Sequence, residues 1–164
     1  MRSSTLPLLA AKEVQERLVA SRILTRDSIL HDPGTPLRQI NFSGLRGRKA
    51  SATWTFRSDF VMTDEFNSAI ILMDVRTSKS LGLTDLGGIL ARCRLVKPNM
   101  GMILSTRGLS RELVRVLSME NSNLDKLLGR DVADHGIIVG QVDEKTGVIK
   151  LSSILPTDKR NLFG

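Results

Sequence analysis

The residues best suited to chemistry lie between Asp59 and Lys79. Asp59 stands at the exit of a segment rich in β-forming residues, and Asp74 follows the apolar run Ala69-Ile70-Ile71-Leu72-Met73. A hairpin turning at Thr63 to Asn67 brings the two carboxylates to neighbouring positions on one sheet. Two such groups side by side repel, and the usual remedy is a cation. Carboxylate oxygens with positions left for water and phosphate suit Mg²⁺ or Mn²⁺. Arg76, two residues beyond Asp74, points to the same face by the period-two rule. A plainer reading makes Asp59 a turn residue and Asp74 with Arg76 a strand-end ion pair.

The elements that must position these groups are written in the residue pattern. Between Ala52 and Met62, Trp54 and Phe56 alternate with Thr53, Thr55 and Arg57, which predicts a strand. The run from Ala69 to Val75 suits a buried central strand. Thr84 as N-cap and Asp85 in the first turn open a helix with Leu86, Ile89, Leu90, Cys93 and Val96 on one face; Arg92, Arg94 and Lys97 crowd its last turn before Pro98. Met100 to Leu104 is a short buried strand. Leu109, Leu113, Val116 and Leu117 mark a further helix, capped by Ser110 or Thr106. Strand, helix, strand makes a βαβ crossover. Upstream, Leu8, Ala11, Val14 and Leu18 define an amphipathic helix reaching about Ile23, and the stretch from Leu24 to Lys49, broken by Pro33, Gly34, Pro36, Gly44 and Gly47, holds at most short strands or turns. Downstream, a short helical piece is expected around Leu124 to Leu128. Gly136 to Val142 and Gly147 to Leu151 flank Asp143 to Thr146 as a second hairpin. The fold class is α/β with a mixed sheet.

Asp59, fifteen positions, Asp74-Val75-Arg76 closing an apolar strand, a helix, the segment Asn99 to Ser110 and another helix form an ordered series. That series resembles the restriction-endonuclease-like, PD-(D/E)xK nuclease superfamily, particularly its Mrr-like branch. The resemblance covers Ala52 to about Glu120, and the helix before Ile23 stands where the family has its first helix. It implies a mixed central sheet flanked by helices, one nuclease-like domain over residues 1–164 with a recognisable core at about 8–120, and Mg²⁺- or Mn²⁺-dependent cleavage of DNA. By the same resemblance Asp59 and Asp74 are metal ligands, Arg76 occupies the position of the lysine that helps activate water, and Glu13 or Glu16 is the helix carboxylate. The sequence departs from the family in carrying Asp-Val-Arg for the usual Glu-x-Lys. Arginine stays protonated, so Arg76 can stabilise phosphate charge but cannot act as a base, and Lys79 is the candidate substitute. Two functions follow: a metal-dependent endodeoxyribonuclease, or a nuclease-fold module whose catalytic signature has decayed and whose basic surface holds nucleic acid or serves an assembly. Neutralising Asp74 is expected to relieve repulsion within the pair.

Charge points the same way without the family. The chain has 24 Lys and Arg against 17 Asp and Glu, a net +7 over 164 residues, and a pI near 10.2, which favours a polyanionic partner. Arg46, Arg48 and Lys49 sit among glycines in one basic loop. Arg107, Arg111 and Arg115 recur at four-residue spacing, giving a cationic ridge opposite Leu109, Leu113 and Val116. A solvated turn and a solvated helix face are the plain counterparts. With no Tyr and one Trp, a backbone-tracking binder of duplex DNA is favoured over a platform that stacks single-stranded bases. A homodimer is left open. The length suits one domain. A single cysteine, Cys93, excludes an internal disulfide and a thiolate metal cluster, and its place on an apolar helix face reads as core. His31 and His135 lack metal-ligand spacing, and Ser105, Ser110 and Ser118 lack a nucleophile-elbow context. The longest apolar stretch, Ser68 to Val75, is too short to span a membrane. Lys12, Glu13 and Glu16 interrupt any signal-peptide core, so the expectation is a mature intracellular chain, cytoplasmic or nucleoid-associated.

Overall fold

The structure, a computed structural model, describes residues 5–40, 58–118 and 136–164. Helix α1 (Leu6–Ala20) opens with Pro7 in its first turn, where a missing N–H costs nothing, and buries Leu6, Ala10, Ala11, Val14 and Leu18. It begins two residues earlier than the apolar spacing predicts and stops at Ala20, where Ser21 caps back onto Arg17 and Arg22 turns left-handed at φ 65°. The expected fragmented stretch follows, with a two-residue strand β1 (Ile29–Leu30) and a 3-10 turn at Leu37–Gln39.

Strands β2 (Phe60–Asp64) and β3 (Ala69–Arg76) form the first hairpin, antiparallel, with Phe60 opposite Met73 and Asp64 opposite Ala69. Its turn is at 65–68, slightly later than expected, because β2 runs on to Asp64. The predicted strand residues Trp54 and Phe56 lie outside the described residues. Asp64 holds the turn by accepting the Asn67 N–H at 3.1 Å, and it also accepts the Thr25 N–H. Asn67 Nδ2 donates to the carbonyls of Arg22 and Ile23, so the exit of α1 is tied to the hairpin tip.

Helix α2 (Leu83–Val96) carries the chain across to β4 (Met100–Ser105), which pairs parallel to β3, as the crossover reading requires. Its N-cap is Gly82 rather than Thr84: the Asp85 carboxylate, one turn in, accepts the Gly82 N–H at 3.0 Å. A third helix, α3 (Arg111–Leu117), is capped by Ser110, whose hydroxyl accepts the Leu113 N–H at 3.2 Å. Strand β5 (Gly136–Val142) pairs parallel to β4, and β6 (Ile149–Leu155) returns antiparallel to β5 before a final 3-10 turn at Thr157–Leu162. The expected helical piece at 124–128 lies outside the described residues.

Over the described residues the result is an α/β fold with a six-stranded mixed open sheet in the order β1-β2-β3-β4-β5-β6. Alternation along β3 sorts its side chains between two cores, since successive residues point to opposite faces. Ile71, Met73 and Val75 join Ala10, Ala11, Val14 and Leu18 of α1. Ile70 and Leu72 join Leu86, Ile89 and Cys93 of α2 and Leu113 and Leu117 of α3. Cover on both faces is why β3 reads as a continuous apolar run rather than an alternating one.

Candidate functional site

The hairpin register continues past its last paired residues, so Asp59 faces Asp74 just beyond the Phe60–Met73 pair. The contact is reciprocal. The Asp59 N–H donates to Asp74 Oδ1 at 2.9 Å, and the Val75 N–H donates to Asp59 Oδ2 at 2.9 Å. The pair that the sequence places together is therefore adjacent, and backbone hydrogen bonds aim both carboxylates. They differ in setting: the Asp74 side chain is 1% exposed and that of Asp59 44%.

Both carboxylates already face cations. Arg76, on the same strand face as Asp74, lies with Nη1 3.3 Å from Asp59 Oδ2, Nη2 3.7 Å from Asp74 Oδ2 and Nε 3.8 Å from Asp85 Oδ1. Arg92, projecting from α2, pairs through Nη2 with Asp74 Oδ2 and donates through Nη1 to the buried Ser58 hydroxyl at 3.1 Å. Its Nε donates to the Gly88 carbonyl within its own helix at 3.3 Å. Lys79 reaches Asp85 Oδ1 at 3.5 Å rather than the Asp59–Asp74 pair. Three carboxylates thus stand among three cations, and the ion-pair reading of Asp74 and Arg76 describes the geometry.

That donor set does not fit a divalent cation. Asp74 Oδ1 accepts a backbone N–H, Asp74 Oδ2 faces two guanidinium groups, and Asp59 Oδ2 accepts a backbone N–H beside Arg76. A metal ion would have to displace fixed positive charge and would gain no excess negative charge in return. Among the described residues, no group of three His, Cys, Asp or Glu side chains is placed to hold a metal.

Glu13 and Glu16 belong to a different part of the molecule, which corrects the expectation that one of them completes the site. Asp74 and Arg76 share the strand parity of Ile70 and Leu72 and face α2, whereas α1 packs on the opposite parity. Glu13 pairs with Arg17 at 2.7 Å, and both glutamates line a cavity of about 590 Å³ beside Leu162 and Phe163.

Sequence reasoning missed Arg92 and Asp85 as members of the cluster, assigning them only to the ends of a helix dipole. The usable signal was their spacing: Asp85, Ile89, Arg92 and Val96 fall on one helical stripe, and Ile89 and Val96 are buried. A charged residue on a buried stripe needs a partner inside.

The expected cationic ridge divides in two. Arg111 and Arg115 lie on α3, but Arg107 precedes it, in a loop where its N–H donates to the Ser105 hydroxyl at 3.0 Å. All three side chains belong to exposed residues, and none forms an ion pair with a carboxylate among the described residues. The loop is pinned to the segment after β3: the Leu81 N–H donates to the Gly108 carbonyl at 2.9 Å, and the Ser110 N–H to the Leu81 carbonyl at 2.8 Å. This brings the chain carrying Lys79 alongside the chain carrying Arg107 and Arg111, at the ends of the parallel strands β3 and β4. Arg46, Arg48 and Lys49 lie outside the described residues, as does His135.

Cys93 is core: it is buried and packs against Gly101, and burial pushes its thiol up to about 12, with nearby Arg92 acting in the opposite direction. His31 lies with Nε2 2.8 Å from the Thr63 hydroxyl; burial lowers its pKa, with Asp32 opposing. Among the described residues no helix is long and apolar enough to cross a membrane. Compared with protein-family models, curated proteins and solved structures, the chain matches none.

Proposed function

We propose that this chain is a nucleic-acid-binding module on a restriction-endonuclease-like frame, in which the carboxylate pair serves the architecture and duplex DNA is held without a metal ion. The observation that carries the reading is the engagement of Asp74 by two guanidinium groups, which gives the pair its counter-charge from within the chain. The frame is supported by its order: a helix, an antiparallel hairpin, a crossover helix and a strand parallel to the hairpin's second member. Binding is supported by the net +7 and by the exposed arginines around the pinned loop. Guanidinium groups suit phosphate oxygens, and their attraction needs no base contact.

A second reading, a Mg²⁺- or Mn²⁺-dependent endonuclease, is favoured by one observation, the facing of Asp59 and Asp74. One experiment separates the two. Labelled duplex and supercoiled plasmid are incubated with the protein in chelator, Mg²⁺ or Mn²⁺, and both retention and nicking are followed. The module reading expects equal duplex binding with and without metal, and no nicking. Metal-dependent nicking that disappears in Asp74→Asn would establish the nuclease instead.

A further inference from the structure

We infer that the outer edge of β6 is a strand-pairing surface for a second copy of this chain, and that Arg160 holds it closed. The inference concerns the last strand of the sheet and is independent of the nucleic-acid reading.

Strand β6 ends the sheet order: β5 lies on one side, and among the described residues no strand lies on the other. An open edge presents unpaired N–H and C=O groups to any extended segment that arrives. The sequence offers little resistance, since the run Leu151-Ser152-Ser153-Ile154-Leu155 carries no charge and no proline, and Leu151 is exposed. Such a run at an edge favours pairing with a like strand. Two β6 edges set antiparallel also form a self-complementary interface, because the same surface serves both copies.

Arg160 occupies the acceptors that such a partner needs. From the turn Thr157–Leu162, its Nε donates to the Ile154 carbonyl at 3.1 Å and its Nη2 to the Ser152 carbonyl at 2.8 Å. Carbonyls two residues apart on one edge are those an incoming strand engages, and the guanidinium fork takes both at once. The turn is itself anchored. Phe163 follows it, joins the core packed against α1, and donates its N–H to the Arg160 carbonyl at 3.1 Å. Arg17 and Ser21 donate to the carbonyls of Phe163 and Leu162, which fixes the turn to the end of α1. On the inner side the ladder closes by another route: the register against β5 shifts between Val139 and Gln141, and the Ser153 hydroxyl accepts the Gln141 N–H at 2.7 Å. Removing Arg160 therefore opens the outer edge without unpairing β6 from β5.

The test uses the full chain as wild type, Arg160→Ala, and Arg160→Ala combined with Leu151→Lys, which places a charge on the edge. Light scattering after size exclusion, over a dilution series, reads the mass. Arg160→Ala is expected to approach twice the wild-type mass as concentration rises, with self-association tightened about tenfold or more, and the double variant to return to the wild-type mass. Hydrogen exchange in the Arg160→Ala dimer should show new protection on the amides of β6. Equal mass for wild type and Arg160→Ala overturns the inference. So does association that persists in the double variant, or new protection that falls elsewhere than β6. If circular dichroism shows Arg160→Ala unfolded, Arg160→Lys, which keeps the charge but loses the fork, takes its place under the same criteria.

Discussion

Arg76 divides the donors of one guanidinium among three aspartates, and this geometry separates it from lysine. An ammonium is a compact point charge and cannot address Asp59, Asp74 and Asp85 together from one position. Arg76→Lys is expected to cost about 1 kcal/mol, a small figure because the site is partly solvated. Asp74→Asn is expected to cost more, about 3–5 kcal/mol, since it leaves Arg92 facing a neutral amide in a buried site. That reverses the expectation of relieved repulsion, and urea denaturation of both variants checks the ranking. Asp64 makes a separate prediction. Burial pushes its carboxyl up, but hydrogen bonds from Thr25 and from the backbone of Asn67 and Phe66 outweigh burial, and its pKa is lowered. A carboxyl lowered on folding contributes stability above its unfolded pKa, and that contribution fades as pH falls through the folded one. Wild type should therefore lose Tm below about pH 4, and Asp64→Asn should start lower at neutral pH and show a flatter acid limb.

Among the elements, the contact between α2 and the sheet has the least tolerance. Gly101 on β4 sits beneath that helix, and a Cβ there would overlap Cys93 Sγ and come within 3.1 Å of Ile137 Cδ1 and 3.3 Å of Ile89 Cγ1. The glycine allows a close approach of helix to strand, and that approach brings Arg92 within reach of Asp74. Gly101→Ala is expected to cost about 1–3 kcal/mol through overpacking. Because the Cys93 thiol is the first obstruction, Gly101→Ala with Cys93→Ala should recover part of the loss. A double-mutant cycle by chemical denaturation measures that coupling.

For the whole molecule, the charge is divided by location. The cluster around Asp74 balances three carboxylates with three cations and adds nothing to the +7 of the chain, so the excess resides elsewhere. If Arg107, Arg111 and Arg115 touch phosphates, converting all three to Glu weakens duplex binding and flattens its salt dependence. Each lost contact removes about 0.9 from the logarithmic slope. Fluorescence anisotropy across a salt series reads both quantities, and an unchanged slope moves the contact surface away from α3 and its preceding loop. Thermal stability should be nearly unchanged, because these side chains are exposed and stand apart from both cores.

What the sequence determined by itself is local in origin. The apolar run of β3, the buried stripe of α2 and the hairpin of β5 and β6 were legible because a strand or helix imposes its period on adjacent residues. The facing of Asp59 and Asp74 was legible for a related reason: a short turn between antiparallel strands leaves little freedom in register. Tertiary structure decided the rest. Which sheet face α1 covers is settled by packing, and that placement separates Glu13 from Asp74. The loop pairing of Leu81 with Gly108 and Ser110 removed Arg107 from the helix that its spacing with Arg111 suggested. Above all, a second cation for the buried Asp74 came from α2, across a helix-to-sheet contact that Gly101 permits. A repulsive pair announces in sequence that it needs positive charge, and Arg76 beside it was legible, but only the packed fold adds the Arg92 side chain at Asp74.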